Sequence, residues 1–121
     1  MTKKILVVDD EVDFCDSLKQ SLEAGGYRVI TVYDGYQGLQ NARSEKPDLI
    51  LLDVLMPHMD GFDVLMRLKR NERTKRIPVI MLTAKSDTAA IFKSQELSAT
   101  DYLIKPFQFE ELLNLMKSYL F

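Results

Sequence analysis

Four consecutive large aliphatic residues, Leu49 to Leu52, run directly into the carboxylate of Asp53. The run has no polar alternation and lies between Pro47 and Pro57. A short unbroken apolar run bounded by turn residues is typical of a central parallel strand covered on both faces. In open α/β sheets, ligands bind outside the carboxyl ends of the strands. Asp53 is therefore the first candidate for chemistry.

Length and composition predict one domain over residues 1–121, large enough to bury about two thirds of its unfolded surface. A hydrophobic fraction of 46% and a charged fraction of 28% argue against disorder and against a membrane protein. The N-terminus lacks the long apolar region and cleavage site of a signal peptide, so we expect a cytoplasmic location. A net charge of -2 without a basic cluster indicates no nucleic-acid binding by this chain.

Two residues that often carry chemistry have ordinary interpretations here. Cys15 is the only cysteine, which excludes an internal disulfide and a multi-thiolate metal site, and we expect it to pack in the core. His58 is the only histidine, and we interpret it as a solvated loop residue and not as a ligand or phosphate carrier.

Strand-like and helix-like segments alternate along the whole chain. The predicted strands are residues 5–8, 27–32, 49–52, 77–82 and 101–104. The predicted helices carry apolar stripes around residues 14–22, 36–42, 62–68, 90–97 and 112–120. Such alternation with short connections indicates a doubly wound α/β fold, in which helices cover both faces of a parallel five-stranded sheet.

Reactive side chains follow four of these five strands. Asp9 and Asp10 follow the first strand, Asp53 the third, Thr83 the fourth and Lys105 the fifth. Because the carboxyl ends of parallel strands meet at one edge of a sheet, we expect these side chains to converge there.

The order and spacing of these residues resemble the receiver domain of response regulators, the phosphoacceptor module of two-component signalling. The resemblance covers essentially all of the chain and implies a flavodoxin-like, three-layer fold with strand order 2-1-3-4-5. The fragments that carry it are Asp9-Asp10, Asp53, Met56-Pro57, Met59-Asp60-Gly61, Thr83-Ala84, Asp101-Tyr102 and Lys105-Pro106-Phe107.

Clustered carboxylates at such an edge need a cation. Two unit charges about 4 Å apart repel by roughly 4 kcal/mol at an effective dielectric constant near 20. Mg²⁺ relieves this repulsion, since it prefers a few carboxylates, retained waters and phosphate oxygens. The resemblance implies Asp10 and Asp53 as direct ligands, Asp9 as a ligand through water, and the backbone carbonyl of Leu55 as another ligand.

The resemblance also implies a phosphorylation switch. Asp53 accepts a phosphoryl group from a sensor histidine kinase or a histidine phosphotransfer protein, while Lys105 and Thr83 bind phosphoryl oxygens. Tyr102 is implied as a switch aromatic, and the Lys105–Pro106 peptide is expected to be cis. The face of the fourth helix, fifth strand and fifth helix would then bind an output partner, an effector domain or a second copy of the phosphorylated chain.

Two positions next to the proposed phosphoryl group are expected to set its lifetime. Leu55 lies two residues after Asp53, and its apolar bulk should exclude the hydrolytic water. Lys85 lies two residues after Thr83 and should contribute at most about 1 kcal/mol as an exposed ion pair.

Three positions depart from the family pattern. All three lie on the face of the fourth helix, fifth strand and fifth helix, which is called the signalling face below. Ser98 stands where a glycine commonly ends the fourth helix, so a positive φ there would be strained. Gln108 stands where Asp or Ser often caps the last helix, which predicts a weaker cap. The fourth helix has a thin apolar face.

Alternative interpretations remain for both the residues and the function. Asp10 or Glu11 could simply cap the first helix, and Tyr102 could be a static packing residue. A phosphatase that turns over a substrate would be expected to have an acid at Leu55. A nucleotide or flavin module would need a glycine-rich loop where Asp9 and its acidic neighbours stand. A receiver that only docks partners would be expected to lack the acids.

Overall fold

The computed structural model describes residues 2–84 and 88–121, so the predicted site residue Lys85 and the predicted helix cap at Ser86 and Asp87 lie outside the described residues. The five strands are β1 Lys4–Val8, β2 Arg28–Val32, β3 Leu49–Asp53, β4 Val79–Ala84 and β5 Asp101–Lys105. The five helices are α1 Val12–Ala24, α2 Gly35–Glu45, α3 Gly61–Arg70, α4 Thr88–Glu96 and α5 Phe109–Leu120.

All strand pairs are parallel, and the sheet order is β2-β1-β3-β4-β5. Helices α2, α3 and α4 contribute to one hydrophobic core cluster, and α1 and α5 contribute to the other. The doubly wound, flavodoxin-like fold is therefore confirmed. Among the described helices, none combines the length and apolar character that a membrane span requires.

The central strand β3 is buried along its entire length. Ile50 and Leu52 point into the core cluster that contains α2 and α3, whereas Leu49 and Leu51 point into the cluster that contains α1 and α5. Successive strand residues face opposite sides, so both sides must be apolar when both are covered. This explains why the run is unbroken in the sequence.

Strand β4 lies two residues further along than the predicted 77–82. The strand begins at Val79 because Pro78 has no N–H to donate to a neighbouring strand. The Pro78 carbonyl still accepts a hydrogen bond from the N–H of Ile50 at 2.9 Å. At the other end the ladder continues, because Thr83 pairs with Ile104 and Ala84 pairs with Lys105. Thr83 is consequently a strand residue and not a residue that follows the strand.

The cap of α5 differs from the prediction of a weak start. The backbone N–H of Gln108 donates to Oε1 of Glu111 at 3.1 Å, which ties the first turn to the residue before it. The prediction considered only the residue at the cap position, and it missed the glutamate three residues later.

At the end of α4, Ser98 has a φ of 62°, so the condition under which serine would be strained at this position is met. The N–H of Ser98 donates to the carbonyl of Gln95 at 3.1 Å, and the N–H of Ala99 donates to that of Ser94 at 2.9 Å. These bonds hold a left-handed helix end that normally favours glycine. The apolar face of α4 is thin, as predicted, because its buried hydrophobic residue is the small Ala90, whereas the large Phe92 is 68% exposed.

We predict that Ser98→Gly raises the free energy of unfolding by about 0.5–1 kcal/mol, because glycine adopts positive φ without a steric penalty. Urea titration followed by circular dichroism measures the change. The matched control is Ser17→Gly on the exposed side of α1, which should lower stability by about 0.5 kcal/mol. A loss of stability in Ser98→Gly would contradict the assigned strain.

Candidate functional site

Adjacent strands β1 and β3 bring three acids together at the carboxyl edge of the sheet. Carboxylate oxygens of Asp9, Asp10 and Asp53 lie within 4.8 Å of one another. Asp9 is fully buried, Asp53 is 7% exposed, and Asp10 is exposed. The convergence expected from the strand ends is therefore present.

The position of Asp53 depends on the glycine that begins α3. The N–H of Gly61 donates to the carbonyl of Val54 at 2.9 Å, so the helix start lies directly against the end of β3. A Cβ at Gly61 would overlap the backbone carbonyl of Asp53. Asp60 caps the same helix by accepting a hydrogen bond from the N–H of Asp63 at 3.0 Å. This packing accounts for the Asp60-Gly61 pair in the sequence.

Three hydrogen bonds fix Asp9 from different directions. Its Oδ1 accepts from the N–H of Glu11 at 3.0 Å, and its own N–H donates to the carbonyl of Val32 at 3.1 Å. The Cys15 thiol donates to the Asp9 carbonyl at 3.3 Å. Burial and the charge of Asp9 raise the pKa of Cys15 to about 12. The thiol is thus a buried core group, as its sequence context suggested.

Lys105 reaches from the end of β5 across β4 to the acids. Its Nζ lies 2.7 Å from Oδ2 of Asp9, 3.4 Å from Oε1 of Glu11 and 3.7 Å from Oδ1 of Asp53. The Lys105–Pro106 peptide is cis, as predicted. The lysine therefore lies among the acids as an internal counter-ion.

Glu11 is a member of this site that the sequence interpretation treated only as a helix cap. It occupies the cap position of α1, but its side chain makes no capping hydrogen bond and instead pairs with Lys105. Its place directly after Asp9 and Asp10 was the available signal.

The Thr83 hydroxyl has no hydrogen-bond partner within residues 2–84 and 88–121. Thr83 is only 1% exposed, so its oxygen is shielded from water as well. In the β4–β5 register Thr83 pairs with Ile104, whereas Tyr102 pairs with Met81. Tyr102 is half-buried and packs against the core cluster that contains α2, α3 and α4. The structure therefore places Tyr102 against this core cluster, two residues before the β5 partner of Thr83.

A cavity of about 630 Å³ opens over the acids. Its polar floor contains Asp53 and Lys105, and Leu55 stands at its rim with 66% of its side chain exposed. The remaining lining residues are Glu11, Phe14, Val54, Leu82, Ala84, Pro106 and Phe107. A small anionic group therefore has access to the Asp53 carboxylate.

The electrostatics of the site show an excess of negative charge. Burial raises the pKa of Asp53 to about 7, the charges of Asp9, Asp10 and Glu11 act in the same direction, and Lys105 opposes them. Burial alone would lower the pKa of Lys105, but its hydrogen bond to Asp9 and the nearby acids outweigh burial and raise it. One lysine faces four acids. This donor set fits a hard divalent cation such as Mg²⁺.

Comparison with known proteins agrees with this geometry. A family model described as "Response regulator receiver domain" matches residues 5–117. The alkaline phosphatase synthesis transcriptional regulatory protein PhoP of Bacillus subtilis is 46% identical over 112 residues, which are 93% of this chain and 46% of that protein. The chain thus spans about half the length of the curated relatives it matches.

Two solved structures are similar over almost the whole chain. Vibrio cholerae chemotaxis protein CheY4 is 32% identical with a TM-score of 0.92, covering 99% of this chain and 100% of that one. The receiver domain of sensor histidine kinase PA1611 from Pseudomonas aeruginosa is 30% identical with a TM-score of 0.91, covering 99% and 98%, and holds a magnesium ion in its active-site cleft. The fold, the acidic edge and these matches agree that this chain belongs to the response regulator receiver domain family.

Proposed function

We propose that the chain is a phosphorylation-controlled switch in which Asp53 accepts a phosphoryl group in a Mg²⁺-dependent reaction. The observation that carries the proposal is the convergence of Asp9, Asp10, Asp53 and Lys105 at one edge of the sheet. Thr83 follows Leu82, the β4 partner of Asp53, and its hydroxyl has no hydrogen-bond partner among the described residues. The phosphoryl donor is a phosphohistidine on a sensor kinase or on a histidine phosphotransfer protein.

The metal site would use the carboxylates of Asp10 and Asp53 and the backbone carbonyl of Leu55 as direct ligands. Asp9 would act through a water, since its two carboxylate oxygens already accept from Glu11 and Lys105. When bound, Mg²⁺ supplies positive charge that favours the ionised form of Asp53 and stabilises negative charge on the phosphoryl oxygens. Lys105 already neutralises part of this negative charge, since its ammonium contacts Asp9.

In the transfer step, an Asp53 carboxylate oxygen attacks the phosphorus of the donor. An O–P bond forms while the P–N bond of phosphohistidine breaks, and the imidazole leaves with the electron pair and takes up a proton. The Lys105 ammonium, 3.7 Å from Oδ1 of Asp53, lies within reach of a phosphoryl group on that atom. It would stabilise the charge that develops on the phosphoryl oxygens.

Signal transmission would begin at Thr83. A buried hydroxyl without a partner costs about 1–3 kcal/mol, and a phosphoryl oxygen on Asp53 offers it an acceptor. This gain exists only in the phosphorylated state, so it favours movement of β4 towards the phosphate. Tyr102 on the neighbouring strand and the weakly anchored α4 would then change the face of α4, β5 and α5. That face would bind an output partner, an effector domain or a second copy of this chain.

A switch is favoured over an enzyme with a separate substrate because of Leu55. This exposed apolar side chain stands where a phosphatase of this type would be expected to carry an acid, and it cannot orient a water for attack. We propose a long-lived phosphoprotein for the same reason. The cytoplasmic location and the lack of nucleic-acid binding by this chain stay predictions.

The phosphoacceptor is tested by intact-mass measurement after incubation with acetyl phosphate and Mg²⁺. The parent should gain one phosphoryl group, and Asp53→Asn should gain none because the nucleophile is removed. Asp63→Asn, which changes an exposed acid on α3, is the matched control and should behave as the parent. A hydroxylamine-labile phosphoryl group on Asp53→Asn would contradict the assignment.

The buried charge of Asp53 predicts a pH-dependent stability without divalent cations. Its pKa is raised from 3.8 to about 7, so the folded state binds more protons than the unfolded state, and stability falls as pH rises between these values. The free energy of unfolding of Asp53→Asn, relative to that of the parent, should therefore rise by up to about 3 kcal/mol between pH 5 and pH 8. Urea unfolding in a chelator measures it.

Asp63→Asn provides the control for this pH dependence, and its difference from the parent should stay constant from pH 5 to pH 8. Added Mg²⁺ should stabilise the parent more at pH 8 than at pH 5, and Asp10→Ala should weaken that effect. If the difference in unfolding free energy between Asp53→Asn and the parent were equal at both pH values, burial would not be raising the pKa of the Asp53 carboxylate.

The coupling through Thr83 predicts a response of the α4–β5–α5 face to a beryllofluoride phosphate mimic. Amide chemical shifts of residues 88–109 should change in the parent, change less in Thr83→Ala, and recover in Thr83→Ser because the hydroxyl is restored. Equal responses in the parent and Thr83→Ala would mean that another contact carries the signal.

A further inference from the structure

Besides its contacts with acids, the Lys105 ammonium lies against an aromatic ring. Its Nζ lies 4.2 Å from the ring centroid of Phe14, and the side chain of Lys105 is only 19% exposed. This distance is within the range in which a cation is attracted to the face of an aromatic ring, and partial desolvation strengthens the attraction. Phe14 therefore gives the lysine an uncharged contact in addition to its contacts with carboxylates.

The ring is itself held by a second aromatic residue. Phe14 and Phe107 have ring centroids 6.1 Å apart and planes at 83°, an edge-to-face arrangement. Phe14 lies in the first turn of α1 and Phe107 lies two residues after Lys105, so the ring is oriented from two elements. The next residue on α1, Cys15, donates to the Asp9 carbonyl at 3.3 Å and anchors that turn to the site.

A neutral contact suits this lysine better than a further acid. The ammonium stands on a flexible four-carbon chain, and its attraction to Asp9 weakens whenever the negative charge of the site is neutralised. The ring face keeps its attraction for the ammonium in every charge state of the acids, and it offers no oxygen that would compete for a cation.

From these contacts we infer that Phe14, oriented by Phe107, is a positioning residue that holds the Lys105 ammonium over the acid cluster for phosphoryl transfer. The inference rests on the proposed function. Phe14 also packs against the core cluster that contains α1 and α5, a role that any large apolar side chain fills. The aromatic ring, and not apolar volume, is thus the property to test.

The test compares Phe14→Leu, which keeps apolar volume, with Phe14→Tyr, which keeps the ring face. The rate constant of phosphorylation by acetyl phosphate at saturating Mg²⁺ is measured as a function of donor concentration. We expect Phe14→Leu to lower the maximal rate constant by about threefold to tenfold, with little change in the half-saturating donor concentration. Phe14→Tyr should restore the rate to within about twofold of the parent.

Two further comparisons separate positioning from packing. Phe109→Leu removes another half-buried ring from the same core cluster and should leave the rate unchanged. In a Lys105→Met background, which itself lowers the rate, Phe14→Leu should have almost no additional effect, because the ring acts through the ammonium. An undiminished effect of Phe14→Leu in that background, or no rescue by Phe14→Tyr, would overturn the inference.

The contact is also tested without any reaction. Protons on the Lys105 ε-carbon should be shifted upfield by the Phe14 ring in the parent, and they should move downfield in Phe14→Leu. Equal shifts in the two proteins would overturn the inference even if the parent accepts phosphate. Failure of the parent to gain a phosphoryl group, with the ring-dependent shift present, would instead overturn the proposed function and leave only the contact.

Discussion

The Asp53 carboxylate ends a strand that is covered on both faces, so it has little access to water and lies within 4.8 Å of two other acids. Burial and the neighbouring acids raise its pKa to about 7, which means that the ionised carboxylate is less stable here than in water. A nearby cation offsets this negative charge, and the chain supplies Lys105, whose Nζ lies 2.7 Å from Asp9 and 3.7 Å from Asp53. The excess of negative charge that makes the site costly to fold also makes its carboxylates a suitable donor set for a divalent cation.

Several details of the backbone follow from the need to hold these acids together. Gly61 is required because α3 begins against the Asp53 carbonyl, where a Cβ would overlap. Asp9 is fixed by a backbone N–H and by the Cys15 thiol, which leaves its Oδ2 for Lys105. The ring of Phe14 contacts the same ammonium. The site is therefore stabilised from α1, β5 and α3 together.

Helix α4 packs less extensively on the sheet than the elements that hold the acids. Helix α4 leaves Phe92 exposed and ends at Ser98 with a positive φ that serine adopts at a cost. Thr83 lies between the two regions with a buried hydroxyl that lacks a partner within the described residues. A weakly anchored helix and a buried hydroxyl without a partner among the described residues are features that suit the switch proposed above.

The sequence alone determined the alternation of strands and helices, the burial of β3 and the gathering of Asp9, Asp10, Asp53, Thr83 and Lys105 at one edge. The first two follow from hydrophobic periodicity, which short segments of the sequence contain. The third follows because the carboxyl ends of parallel strands lie at the same edge of a sheet. Only the tertiary structure decided that Glu11 pairs with Lys105 and does not cap α1, and that the Phe14 ring contacts the same lysine. It also decided that Glu111 supplies the cap of α5 and that β4 extends through Ala84. The physical reason is that side-chain partners and strand ends depend on the direction in which distant elements approach one another, and no local pattern encodes that direction.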